Sequence, residues 1–165
     1  MHRSPRAAPR GFTLIEMMVI LGIIAILVLM ALPSYSDKII RDQIAEALPL
    51  ADIAKAPVAA SWTVLQAFPA DNAAAALPAA DKIVSNYVSS VVVKEGAINV
   101  TFGNRVNQAI KGRVLTLRPA IVEDAPVVPV TWICGFAPVP DKMTVKGENK
   151  TDIPPGFLPF RCRAG

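Results

Sequence analysis

Residues Phe12–Leu32, FTLIEMMVILGIIAILVLMAL, form an apolar run interrupted by one charge, and nothing later in the chain matches it. As a helix rising 1.5 Å per residue, the run is about 31 Å long, the thickness of one bilayer core. The residues ahead of it, MHRSPRAAPRG, are short and basic, which suits the cytoplasmic side of a membrane. A secretory signal is cut after its apolar region at a small-residue site. Pro33-Ser34-Tyr35 is a poor site of that kind, and a helical pattern continues beyond it, so the sequence predicts that the apolar helix is retained.

Charge and histidine content narrow the functions. The 165-residue chain carries a formal net charge of +4, of which Arg3, Arg6 and Arg10 supply three. Without the first eleven residues, 14 Lys and Arg face 13 Asp and Glu, so the basic balance is an N-terminal label and a weak argument for nucleic-acid binding. The single histidine is His2. A mature chain starting near Phe12 would have no imidazole, which removes Ser-His-Asp and Cys-His chemistry and most zinc sites. Scattered acids such as Glu123, Asp124, Asp141, Glu148 and Asp152 lack the spacing of a calcium loop, so no metal, cofactor or catalytic residue is assigned.

Glu16 is the anomaly in the apolar run. A carboxylate at membrane depth costs on the order of 3 kcal/mol on insertion scales, and such groups are usually paired and functional. It could also be an interfacial acid tolerated near a helix N-terminus. Its neighbours point to a role. Gly11-Phe12-Thr13-Leu14-Ile15-Glu16 resembles the processing signal of type IV pilins and their relatives, and Ala31-Leu32-Pro33-Ser34-Tyr35 resembles the kink that follows it in that family. Where family members often carry a second helix glycine after Gly22, this chain has Ala25. The resemblance implies cleavage between Gly11 and Phe12 by a prepilin peptidase, methylation of Phe12, and an assembly role for Glu16. It also implies a helix kink at Pro33, where a backbone donor is missing. The mature chain would keep 154 of the 165 residues.

Beyond the apolar run the pattern turns amphipathic. Ile40, Ile44, Leu48 and Ala51 recur at helical spacing with Asp37, Lys38, Arg41, Asp42 and Glu46 on other faces. Pro49 and Pro57 predict a second bend or an early helix end. A turn-rich connection follows at 67–80, then four predicted strands: Val88–Lys94, Ala97–Phe102, Arg113–Arg118 and Val127–Cys134, the last with a late start because of Pro129. Cys134 and Cys162 are the only cysteines, either two buried thiols or one disulfide. In the chain-entropy model a bridge closing that loop contributes roughly 3.6 kcal/mol. The pattern resembles the disulfide-bounded region of type IVa pilins.

The fold class expected is α+β: a long N-terminal helix, half transmembrane, packed on a four-stranded antiparallel sheet with a C-terminal disulfide loop. Its parts would be a leader at 1–11, a membrane and assembly half at 12–33, an amphipathic helix at 34–62 and a head at 63–165. The resemblance implies a structural subunit of a type IV pilus, not an enzyme, held once across the inner membrane of a Gram-negative bacterium and then assembled into an extracellular filament. Adhesion, twitching motility and DNA uptake would belong to that filament. Implied partners are identical and minor pilins, the peptidase and methylase, the inner-membrane assembly platform and the bilayer. Two alternatives share the N-terminal signal. One is a type II secretion pseudopilin, whose major form typically has a calcium site in place of the cysteine loop. The other is a minor competence pilin that binds nucleic acid through a strip such as Arg105, Lys111, Arg113 and Arg118, although few aromatics accompany those cations.

Overall fold

The computed structural model describes residues 11–164, so most of the expected leader lies outside the described residues. Compactness divides the chain into a unit ending at Ser36 and a head from Asp37 onward. The helix α1, Leu14–Leu65, supplies most of the first unit and one layer of the second.

Within the head, α1 presents Ile40, Ile44, Leu48, Ala51, Ala54, Val58 and Trp62 to the core, three or four residues apart. The helix continues through Pro49 and Pro57, where the sequence predicted a second bend or an early end, and runs three residues beyond the expected limit at 62. Two interior prolines cost about 6 kcal/mol in an isolated helix. Burying Ile40, Ile44, Leu48 and Val58 returns about 1.5–3 kcal/mol each, enough to hold the helix. The prolines also avoid the buried face. Pro49 is exposed, Pro57 is half-buried, and the carbonyls they leave without amide donors belong to exposed Ala45 and Ile53, where water can reach.

The helix stops at Gln66, whose φ of 51° is left-handed, while its amide still reaches the Trp62 carbonyl. The chain folds back so that Phe68 stacks on Trp62, ring centroids 5.3 Å apart. A connecting segment with one 3-10 turn, Ala80–Lys82, leads to the sheet.

The sheet is antiparallel in the order β1 (Val88–Lys94), β2 (Ala97–Phe102), β3 (Val114–Ile121) and β4 (Thr131–Cys134). The first two strands match the sequence reading. The third begins at Val114 and runs three residues past Arg118, and the fourth begins four residues after Val127. A fifth two-residue strand, β5 (Thr144–Val145), was not anticipated; it pairs with the end of β3. Ala120 pairs with both Thr131 and Val145, so β5 lies on the edge of β3 opposite β4, beyond the end of β2. This explains how Pro119 sits inside a central strand. Its nitrogen faces the gap between β2 and β5, where no partner strand needs a donor, and its carbonyl accepts from the Lys146 amide.

Val91, Val93, Ile98, Val100, Phe102, Leu115 and Leu117 join the helix side chains in one core, because alternate residues of paired strands share a face. Asn99 and Thr116 face the other way and are also buried: the Thr116 hydroxyl donates to Asn99 Oδ1 at 2.8 Å and accepts the Lys150 amide at 3.0 Å. The segment around Lys150 therefore covers that face. Gly147, at φ +81°, sits so close over β2 that a Cβ there would meet Ala97 at 2.7 Å.

Candidate functional site

Three features of the chain stand out. The first is the N-terminal unit. Gly11, Phe12 and Thr13 precede the helix, and every described side chain from Gly11 to Ala31 is exposed. Phe12 is 73% exposed and Leu14 79%. The window long and apolar enough to cross a membrane has no share buried inside the chain. So much apolar surface is stable in water only when a bilayer or other helices cover it.

The start of α1 is fixed by a reciprocal pair. The Glu16 amide donates to Thr13 Oγ1 at 3.3 Å, and Glu16 Oε2 accepts the Thr13 amide at 3.5 Å. This Thr-x-x-Glu arrangement is a capping box, satisfying two amides that a helix N-terminus otherwise leaves open. The sequence reading assigned Glu16 but missed Thr13, although the signature was legible. Cleavage at the expected site would leave Phe12 as the first residue, two positions ahead of α1. Pro33 lies within the helical span of α1.

The second feature is the C-terminal tail. Cys134 at the end of β4 and Cys162 are joined, with their Cα atoms 4.6 Å apart and 28 positions apart in sequence. Both are buried, and the Phe136 amide donates to the Cys162 carbonyl beside them. Inside the closed loop, Asp152 pairs with Val114 like a strand residue: its amide donates to the Val114 carbonyl, and its Oδ1 accepts the Val114 amide at 2.6 Å. Thr151 Oγ1 accepts the Thr116 amide at 3.0 Å. The loop thus extends the β4 edge past Cys134. Arg41 Nε and Arg163 both donate to the Gly156 carbonyl, which pins the tail to α1.

The third feature lies on the opposite edge. Asn72, read from sequence as half of a turn, is 9% exposed. Its Nδ2 donates to the carbonyls of Val91 and Pro78, and its Oδ1 accepts the Val93 amide at 2.6 Å. One amide side chain thus satisfies part of the outer edge of β1, which would otherwise offer a template to another strand. The Glu95 and Gly96 amides continue the seam onto Ala70 and Pro69.

Two members of the strip considered as an alternative nucleic-acid surface are engaged within the chain. Arg113 pairs with Asp152 at 3.6 Å, and Arg118 is half-buried and donates to the Gly135 carbonyl. Among the described residues, no group of three or more His, Cys, Asp or Glu could hold a metal ion.

Comparison with known proteins assigns the two ends of the chain. Residues 41–163 match the model of Pilin, a bacterial filament family, and residues 6–32 match the prokaryotic N-terminal methylation motif. The chain belongs to the type IV pilin family. Relatives align over almost the whole pilin. It is 35% identical to a fimbrial protein of Neisseria meningitidis serogroup A, over 93% of this chain and 94% of the relative. It is 34% identical to the type IV major pilin protein PilE of Neisseria gonorrhoeae, over 93% of each. Fimbrial protein EcpC of Eikenella corrodens is 40% identical over 66% of this chain and 73% of its own length. This pilin is a structural protein with a membrane-anchoring N-terminal helix, assembled with other subunits into a surface pilus of Gram-negative bacteria.

Proposed function

We propose that this pilin is the major subunit of a type IV pilus, made as a precursor with a leader at 1–11, a membrane and assembly half at 12–33 and a head beyond. A prepilin peptidase cuts between Gly11 and Phe12, and the new Phe12 amino group is methylated. The observation that carries this reading is the exposed apolar span, Phe12 to Ala31, lying within a methylation motif. Full-length similarity to the gonococcal PilE supports the major rather than the minor role.

Assembly then follows from charge and solvation. Cleavage creates a cationic amino group at Phe12, four residues from the carboxylate of Glu16. Apolar surroundings raise the cost of leaving either unpaired. Glu16 of one subunit meets the Phe12 amino group of its neighbour, which selects a single axial register as apolar helices exchange lipid for each other. Pro33, lacking a backbone donor, lets the helix bend or loosen as it leaves the bilayer. Adhesion, twitching motility and DNA uptake are properties of the filament. The inner-membrane assembly platform and minor pilins are its partners.

Mass spectrometry of filaments sheared from the cell surface tests the reading. The expected dominant species begins at methylated Phe12 and has Cys134 joined to Cys162. A processed chain confined to the envelope, and absent from surface filaments, would make it a pseudopilin or a minor subunit.

A further inference from the structure

The β4 side of the head carries an uncovered surface of mixed character. A shallow groove of about 690 Å³ runs between β4 and the tail, lined by Trp132, Pro138, Pro140, Phe160 and Arg161. Phe160 is 92% exposed, more than any other large apolar side chain described. Arg161 lines this groove and a second one against α1, and its side chain makes no hydrogen bond or ion pair among the described residues. No carboxylate lines the Phe160 groove.

A complementary surface exists on the same chain. Asp42, Glu46, Pro49 and Ile53 are spaced four, three and four residues apart on α1, so they share its exposed face, with Pro49 at the edge of the groove between α1 and Arg161. All four are exposed, Ile53 by 52%. Asp42 and Glu46 have no ion-pair partner among the described residues, unlike Asp37 and Asp52 on the same helix, which pair with Arg41 and Lys55. Lys38 precedes Asp42 by one turn, which leaves Glu46 the carboxylate farther from any cation of this face.

We infer that these two surfaces meet between copies in the filament: Phe160 and Arg161 of one pilin seat against the Asp42–Ile53 face of α1 in the next, with Arg161 paired to Glu46. The two surfaces are different, so the contact is heterologous, and its repetition builds an open helical polymer instead of a closed dimer. An exposed aromatic beside an arginine is the composition that anchors protein interfaces, and a contact between copies shields the charge pair from the solvent screening that weakens surface pairs. This inference rests on the filament reading and assigns it a head-to-head contact separate from the Phe12–Glu16 pair.

The test is charge reversal in the full-length chain, in cells whose own copy is replaced. Arg161→Glu and Glu46→Arg are each expected to lower surface filaments about tenfold, with processed subunit in the envelope unchanged, and the double reversal to recover most of that loss. Phe160→Ala is expected to lower filaments without recovery by either reversal. Normal filament yield in either single reversal overturns the contact, as does a double variant no better than the singles. Loss of processed subunit from the envelope also overturns it, by assigning these residues to folding. If the unaltered chain itself makes no surface filaments, the filament reading fails instead.

Discussion

Replacing Asn72 measures how far the head depends on one side chain closing its β1 edge. Asn72→Ala removes three hydrogen bonds, to Val91, Pro78 and Val93. At a net worth of about 1 kcal/mol each they account for about 3 kcal/mol, and leaving the buried Val93 amide unpaired adds on the order of 1 kcal/mol more. The head buries its whole core between Ile40 and Cys162, so a fragment beginning at Asp37 retains every core residue. With an unfolding entropy of about 2.1 cal/mol/K per residue, a loss of 3 kcal/mol lowers its melting temperature by about 10 °C. Urea unfolding followed by the fluorescence of Trp62 and Trp132 gives the free energy directly. Asn72→Asp separates the amide's two roles. The carboxylate can still accept the Val93 amide but turns a charge toward the carbonyls of Val91 and Pro78. Burial and those carbonyls raise its folded-state pKa, so the folded state holds the proton more tightly than the unfolded chain. The variant's deficit relative to the unaltered head is then smallest below the unfolded carboxyl value and grows as pH rises through the folded-state one. If Asn72→Ala costs less than about 0.5 kcal/mol, the edge does not depend on this clamp.

Three further changes probe processing, assembly and the tail. Gly11→Trp is expected to leave uncleaved precursor in the inner membrane, read as a retained leader by mass; normal processing would remove the cleavage assignment. Glu16→Val is expected to permit cleavage but strongly reduce filaments, because the Phe12 amino group loses its partner; abundant filaments in that variant would refute the pairing. Replacing Cys134 and Cys162 together by Ala is expected to destabilise the head by roughly 3–4 kcal/mol in urea unfolding and to expose the tail to protease. A change below about 1 kcal/mol would show that Asp152, Thr151 and Arg163 hold the tail without the bridge.

The N-terminal half was legible because its physics is one-dimensional. A membrane-length apolar run and the methylation motif that contains it are read along the chain, and the Thr13–Glu16 capping box could have been. Helical spacing likewise named Ile40, Ile44, Leu48 and Ala51 as core, and β-branched content with the Glu95-Gly96 turn gave β1 and β2 their bounds. In the distal helix, the early end that local preference allowed did not occur. Pro49 and Pro57 disfavour a helix taken alone, but the sheet fixes the buried face and leaves their cost on the solvent side. The third strand runs past Arg118 because Pro119 lies where β2 has ended and β5 has barely begun beside it.

What the sequence alone determined is the anchoring helix, its processing signal and the helix-then-sheet order, since each depends on neighbours within a few turns. Tertiary structure decided the rest. The pairing of Asn72 with Val93 and of Asp152 with Val114 joins residues 21 and 38 positions apart. No periodicity carries such distances, because partners are chosen by the faces and edges that packing leaves unsatisfied. The grouping of Phe160, Arg161 and Trp132 on one groove has the same origin: the closed tail brings the end of the chain back beside β4.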